Sequence, residues 1–287
     1  MALNLGGGSV TSSFNSMYLG QAQSMLSQSL MRLSSGTRIN RASDDPGGLA
    51  LSMKLQNALT ITSATKQNVD NAKSYVDTQD SALDSVASIL DKMSTLKTSY
   101  GSATATTSDK ASYASEFKEL QAQLNAFKSE KFNSISLFSS QSISRGVYIS
   151  TNGSSGASIS ISSLDLSGAL SIAAGTNLSA HKTGANAVSI SNVTIDQLTT
   201  AVNNVASLRA TSGATSSRLE FSSDYLSSSM VNLEEANSRI VDVDVAKETT
   251  NLAKSNLQVY AASAALVQSN LNMGIVLDLL NFNSSRR

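Results

Sequence analysis

Ser63-Ala-Thr-Lys66 has the S-x-x-K spacing of serine acyl-transferases, and Lys182-Thr-Gly184 has the spacing of their K-T-G element. On a helix, residues three apart share a face, so the amine would stand beside the hydroxyl it must activate. The companion S-D-N element is missing. S-x-x-K also recurs at Ser94…Lys97 and Ser115…Lys118, as chance dictates in a chain that is roughly a fifth serine. Asp242 and Asp244 are spaced to share a cation. Their alternation with Val241 and Val243 reads instead as the capped start of a helix. Gly6-Gly-Gly8 lacks both the G-x-G-x-x-G spacing and a lysine, so it is no phosphate cradle. His181 is the single histidine and sits in a Gly/Ser/Thr loop; there is no cysteine. Paired-histidine metal sites, thiolate chemistry and disulfides are therefore excluded. The expectation is no catalytic residue, no cofactor and no metal.

What remains must be structural. The 21 basic and 21 acidic residues of the 287 cancel, and aromatic residues make up 5%. No basic footprint or stacking platform for nucleic acid is present. No apolar run approaches the length of a bilayer span, so membrane insertion is not expected. The first residues carry neither a basic n-region nor an apolar h-region, which argues against a cleaved secretory signal. A single proline marks a chain that avoids breaking helices.

The pattern is long helical arms around a β-like centre. Between Thr11 and Ser35, Leu19, Leu26 and Leu33 recur every seven residues. Gly36 suits the position just past a helix; Asp44 or Asp45 suits an N-cap, with Pro46 at the first helical position. From Leu49 to Tyr100 one line holds Leu55, Thr62, Val69, Val76, Leu83 and Leu90, and a second holds Ala58, Thr65, Ala72, Gln79, Val86 and Met93. Alternating steps of three and four make a coiled-coil seam. A shorter amphipathic helix follows Gly101–Ser108, and heptads return at Leu198, Val205, Ser212, Leu219, Leu226, Leu233 and Ile240. The last helix carries Leu252, Val259, Leu266, Met273 and Leu280, with a neighbouring line at Leu257, Ala264 and Leu271. That face is wider than one partner helix covers.

Between Ser139 and Val193 apolar and polar residues alternate, in glycine-separated pieces at Val147–Ser150, Ala157–Ser162, Leu164–Ser167 and Val188–Ser191. These predict short β-hairpins with a wet outer side, tolerant of a tag between Gly153 and Ser154. The fold class expected is mainly α: a long-helix coiled-coil rod built from the N- and C-terminal segments, with a small β-hairpin region from the middle. A helix over Pro46–Tyr100 would be about 80 Å long, against a radius of gyration near 19 Å for a compact chain of this length. The chain is expected to be a rod, or to have its arms buried by other copies.

One run is specific. Arg32-Leu-Ser-Ser-Gly-Thr-Arg-Ile-Asn-Arg-Ala-Ser-Asp-Asp45 resembles the signature near the N-terminus of bacterial flagellins, on Arg32, Leu33, Ser34, Ser35, Gly36, Arg38, Ile39, Asn40, Asp44 and Asp45. Asn68-Val-Asp-Asn, Gln79-Asp-Ser-Ala-Leu83 and Lys131-Phe-Asn133 resemble later stretches of that family. Val241-Asp-Val-Asp-Val, Leu266-Val-Gln-Ser-Asn and Leu277-Asp-Leu-Leu280 are similar to its C-terminal helix. The likeness covers roughly the first 138 and the last 90 residues.

The resemblance implies the self-assembling subunit of the flagellar filament, exported unfolded by the flagellar type III system. By the family pattern, 1–45 with 246–287 would pair as a coiled coil lining the filament core. Residues 46–138 with 194–245 would form the surrounding helical rod, and 139–193 would face outward. The implied partners are further copies of the chain, an export chaperone and the export gate, the filament cap, the hook-associated junction proteins, and an innate immune receptor. The receptor-binding stretch aligns with Leu90–Lys97, placing its contacts at Lys92, Leu96 and Glu116, although Lys92 stands for an Arg and Thr95 for a Glu. The sequence departs further at Asp44-Asp-Pro-Gly-Gly48, where D-D-A-A-G is usual, and in its Asn281–Arg287 tail. Hook–filament junction proteins share the helical ends and the export route and form the alternative reading; the long R-L-S-S-G-x-R-I-N run favours the filament subunit.

Overall fold

The computed structural model describes residues 6–141, 143–150, 156–173, 176–179 and 188–284. The chain divides into two compact units, one of residues 1–57 with 233–287, the other of residues 58–232. The boundaries fall inside the helices α2 (Pro46–Tyr100) and α5 (Ile195–Val241).

The first unit pairs α1 (Gly6–Ser35) with α6 (Val245–Ser284). They run antiparallel: the Ser12 hydroxyl donates to Asn270 Oδ1 at 3.4 Å, and Arg32 Nη1 lies 3.9 Å from Glu248. Heptad positions on α1 (Leu19, Ala22, Leu26, Ser29, Leu33) and on α6 (Leu252, Ser255, Val259, Leu266, Met273) are buried or half-buried. Few are fully covered, and those that are (Ala22, Ser29, Ser255, Glu248) are small or polar.

The link between α1 and α2 is built tightly. Gly36 takes φ +71° as the chain leaves α1, a conformation that costs a residue without Cβ little. Its carbonyl accepts from Val243 N at 3.0 Å, and Arg38 donates from its guanidinium to Ile240 O at 2.7 Å. Asp45 caps α2 by accepting from Gly48 N at 2.8 Å, with Pro46 at the first helical position. Asp44 instead closes the loop, accepting from Asn40 N at 3.1 Å and Arg41 N at 3.0 Å. A Cβ on Gly48 would stand 2.5 Å from Asp45 Oδ2 and 2.8 Å from Ile39 Cδ1. Close approach therefore fixes the glycine that ends this motif. Asp244 caps α6 through Lys247 N at 3.1 Å, whereas Asp242 pairs its backbone with Thr37.

The second unit holds the apolar core. Val69, Val76, Leu83, Val86, Leu90 and Met93 of α2 pack with Phe117 and Leu124 of α3 (Thr107–Phe127), and with Leu198, Val205, Leu219 and Leu226 of α5. The sequence-predicted heptads of this region are thus buried within one chain. Alongside the seam runs a polar ladder. On α2, Asp70, Lys73, Asp77, Asp80 and Asp84 meet Ser223, Glu220, Ser216 and Arg209 of α5 in antiparallel order. Arg209 bridges Asp80 (3.1 Å) and Asp84 (2.7 Å). Each pair is at least partly exposed and worth little alone, but a slide of either helix would misalign all of them, so the ladder fixes register.

The middle of the chain forms β1 (Lys131–Phe132) with β2 (Ile135–Ser136), β3 (Ser144–Tyr148) with β4 (Ser158–Ser162), α4 (Leu166–Ala169), and β5 (Ser171–Ala173) with β6 (Thr176–Asn177). All three strand pairs are antiparallel. Positive φ at both Asn133 and Ser134 makes the β1–β2 hairpin turn, the handedness that matches strand twist. Two of the pieces expected to form hairpins, around Val147 and over Ala157–Ser162, pair with each other as β3 and β4. Leu164–Ser167 is no strand, because Asp165 accepts from Gly168 N at 2.8 Å and caps a helical turn. Val188–Ser191 is no strand either.

The described part of 139–193 is covered on one side by its own chain. Ile159, Ile161, Leu166, Leu170, Leu178, Val188 and Ile190 join the core of the second unit, as does Phe138 just before the segment. Side chains from α2 and α3 pin this segment by its carbonyls. Gln79 Nε2 donates to Leu137 O (2.7 Å) and Ser162 O (3.3 Å), Gln121 Nε2 to Val188 O (2.9 Å), and Tyr75 OH to Ser136 O (2.9 Å). The polar seam residue Gln79 is therefore an anchor. The tag site at Gly153 and Ser154 lies outside the described residues.

Two substitutions test this packing by urea unfolding of the monomer. Gln79→Ala removes the buried amide that donates to Leu137 O and Ser162 O and should destabilise the second unit by about 1–3 kcal/mol. Gly48→Ala drives a methyl into Asp45 and Ile39 and should cost about 1–3 kcal/mol in the first unit.

Candidate subunit-packing surface

The residues with chemical potential are engaged elsewhere. Lys66 Nζ donates to Asp70 Oδ2 at 2.7 Å, one helical turn on, instead of facing Ser63 as a base. That ammonium, with the Ser223 hydroxyl, holds the Asp70 carboxyl below its usual range. Lys182–Gly184 and His181 lie outside the described residues. Among the described residues no cluster of acidic or histidine side chains is arranged to hold a metal ion, and no helix is long and apolar enough to cross a membrane.

The seam residues fall into two classes. Val69, Val76, Leu83 and Leu90 are at most 2% exposed inside the second unit. Their packing partners lie within the same chain, in the core of the second unit. Leu19, Leu26 and Leu33, with Leu252, Val259, Leu266 and Met273, are half-buried along the paired α1 and α6; Leu55 of α2 is half-buried. The Leu280 side chain lies outside the described residues. The Arg32–Asp45 signature serves as the staple of the α1–α2 link. Arg32 approaches Glu248, Asn40 Nδ2 donates to Ser35 Oγ at 2.9 Å, Ile39 is buried, and Leu33 is half-buried above Gly36. Ser34 is exposed. Lys92 and Glu116 are exposed, while Leu96 is buried at 9% and offers no side chain to a receptor.

The surface left without a partner is a second stripe on α6. Leu257, Tyr260, Val267, Leu271 and Ile275 are 58–72% exposed and follow steps of three, four and seven residues, with Ala264 between them. The sequence offers the line Leu257, Ala264, Leu271 but not its aromatic and branched companions at Tyr260, Val267 and Ile275. Helical projection from the covered line, rather than a single heptad row, finds them. Val267, Leu271, Gly274 and Ile275 also border a groove of about 430 Å³. On α1, Phe14 and Tyr18 are more than half exposed. Burying one such side chain is worth about 1.5–3 kcal/mol, so together they carry a strong drive to be covered.

Two family models match the chain: the bacterial flagellin N-terminal helical region over residues 9–143, and the bacterial flagellin C-terminal helical region over residues 195–280. A flagellin of Halalkalibacterium halodurans is 30% identical over 254 residues, covering 88% of this chain and 91% of that protein. A flagellin of Bacillus subtilis is 29% identical over 88% of this chain and 92% of its own length. Among solved structures, a Vibrio parahaemolyticus protein described as flagellar hook-associated aligns with a TM-score of 0.59 at 17% identity, over 69% of this chain and all of that one. At that identity it speaks for the fold alone.

The ladder of the second unit generates a pH dependence. The lowered Asp70 carboxyl contributes stability that is complete above its usual value of 3.8 and is lost as pH falls through the folded value. Asp70→Asn should remove that contribution, about 0.5 kcal/mol for a half-exposed pair. Thermal melts of the two proteins should differ at pH 7 and converge in acid.

Proposed function

The chain belongs to the bacterial flagellin family and is a structural subunit of the flagellar filament; from this premise we propose that its copies pack through the second apolar stripes of α6 and α1. The observation that carries this reading is the heptad-spaced exposure of Leu257, Tyr260, Val267 and Leu271 on a helix whose other face already meets α1. A helix apolar on two faces is a helix with two partners. Packing copies side by side would cover the stripe along its length.

Under this reading the first unit lines the filament core. The second unit, with 139–193 folded onto it, stands outside. The family pattern of 1–45 with 246–287 as the core-lining part is extended here to the unit boundary at 57 and 233. The protein performs no catalysis. The subunit leaves the cell unfolded through the flagellar type III exporter, met by a chaperone and the export gate, and ends in the extracellular filament between the hook-associated junction proteins and the cap. A chain without cysteine carries no disulfide to obstruct that passage. Recognition by the innate immune receptor at Lys92 and Glu116 would proceed without Leu96, whose side chain is turned into the core. The junction-protein alternative has no observation of its own: the likeness to a hook-associated protein is one of fold.

Seeded polymerisation tests the stripe. Leu271→Asp puts a carboxylate where an apolar contact would form, at a cost of about 2–4 kcal/mol per subunit. The critical concentration should rise at least about thirtyfold, with helix content unchanged. Filament growth equal to that of the unaltered chain would place the contact elsewhere.

A further inference from the structure

Resting on that packing reading, we propose that Met17 and Met25 are oxidation-sensitive positions through which peroxides block addition of the subunit to a filament. The chain has no cysteine, so its eight methionines hold all of its sulfur. Their surroundings differ sharply. Met93 is fully buried in the core of the second unit. Met31 is half-buried beside Arg41, whose Nη2 donates to its sulfur at 3.8 Å. Met17 and Met25 are 56% and 45% exposed on the α1 face that also carries Phe14 and Tyr18. Met25 further lines a largely apolar groove of about 340 Å³ along α1 and α6 in the first unit, with Tyr18, Ala22, Ala261 and Ala262.

A peroxide reacts at an exposed thioether by attack of a sulfur lone pair on the distal oxygen. The O–O bond breaks and an S–O bond forms. The sulfur is oxidised by two electrons, and the peroxide is reduced to water, or to an alcohol from an organic peroxide, which takes up the hydroxyl proton. The sulfoxide is polar and hydrated in the free subunit. Burying it against an apolar stripe strips that water and returns no equivalent hydrogen bond. At Met31 the outcome differs, because the Arg41 guanidinium stands ready to donate to a sulfoxide oxygen. The lesion is therefore assigned to the two methionines of the exposed α1 face; Met53, 66% exposed, stands on α2 instead. Enzymatic reduction of the sulfoxides would make it reversible.

The test treats full-length monomer with hydrogen peroxide, locates sulfoxides by peptide mass mapping, and measures the critical concentration for growth on seeds. The expected result is sulfoxide at Met17 and Met25 with none at Met93, and a critical concentration raised about ten- to a hundredfold. Methionine sulfoxide reductase should restore growth. In filaments treated after assembly, Met17 and Met25 should be protected. The doubly substituted Met17→Leu/Met25→Leu protein should assemble normally and keep its critical concentration after peroxide. Unchanged assembly of wild type oxidised at both positions overturns the proposal. So does equal inhibition of the doubly substituted protein, which would move the lesion to another methionine such as the exposed Met53. If the leucine variant does not assemble untreated, reductase rescue and filament protection of the wild type decide. Failure of the untreated wild type to elongate on seeds would instead defeat the packing reading.

Discussion

The structure depends on one imbalance: α1 and α6 carry more apolar surface than two helices can hide from each other. Two antiparallel helices cover one seam each. On α6 that seam is the line through Leu252, Val259 and Leu266; the line through Leu257, Tyr260 and Leu271 stays in water. Even the covered seam is closed mainly by Ala22, Ser29 and Ser255, side chains too small to bury much area. Helical stability in proteins comes mostly from packing an amphipathic face, so this pair is poised to gain from a further partner.

The second unit solves the same problem internally. Its α2 and α5 bring equally long heptads, but α3 and the mid-chain segment fill the remaining sides. The result is a core of fully buried Leu83, Leu90, Phe117, Leu124, Leu166 and Leu198. Buried amides and hydroxyls at Gln79, Gln121 and Ser212 are satisfied by carbonyls, Leu137 O among them, and this lets irregular backbone sit against a helix without stranded polar groups. The second unit closes a core within one chain, with Phe221 and Tyr225 of α5 left exposed, whereas the first unit leaves an apolar stripe open along α6.

Much of this was legible in the sequence, because heptad spacing reports directly on helix faces. The buried lines Val69 to Leu90 and Leu198 to Leu226 coincide with the spacing, as do Gly36 at the end of α1 and Pro46 at the start of α2. Spacing does not tell a partner in the same chain from one in another chain; burial shows that Val69, Val76, Leu83 and Leu90 pack within the second unit. Gln79 breaks the apolar line in sequence because its hydrogen bonds to the distant carbonyls of Leu137 and Ser162 leave no periodic trace. Alternation in 139–193 marked one wet face correctly and left the opposite face, Ile159 and Ile161, without a visible destination. The Gly48 requirement and the division of labour between Asp44 and Asp45 are matters of ångströms that only coordinates supply.

Hydrogen exchange followed residue by residue in monomer and filament addresses the central claim most directly, with the core of the second unit as internal reference. If α1 and α6 are completed by neighbouring copies, amides across Tyr18–Leu33 and Leu252–Leu271 should gain at least about a hundredfold in protection on assembly, equivalent to roughly 3 kcal/mol. Amides of Val76–Leu90 and Leu198–Leu219 should change little. Equal protection of α6 in both states would mean that its exposed stripe has no partner in the filament, and would contradict the account.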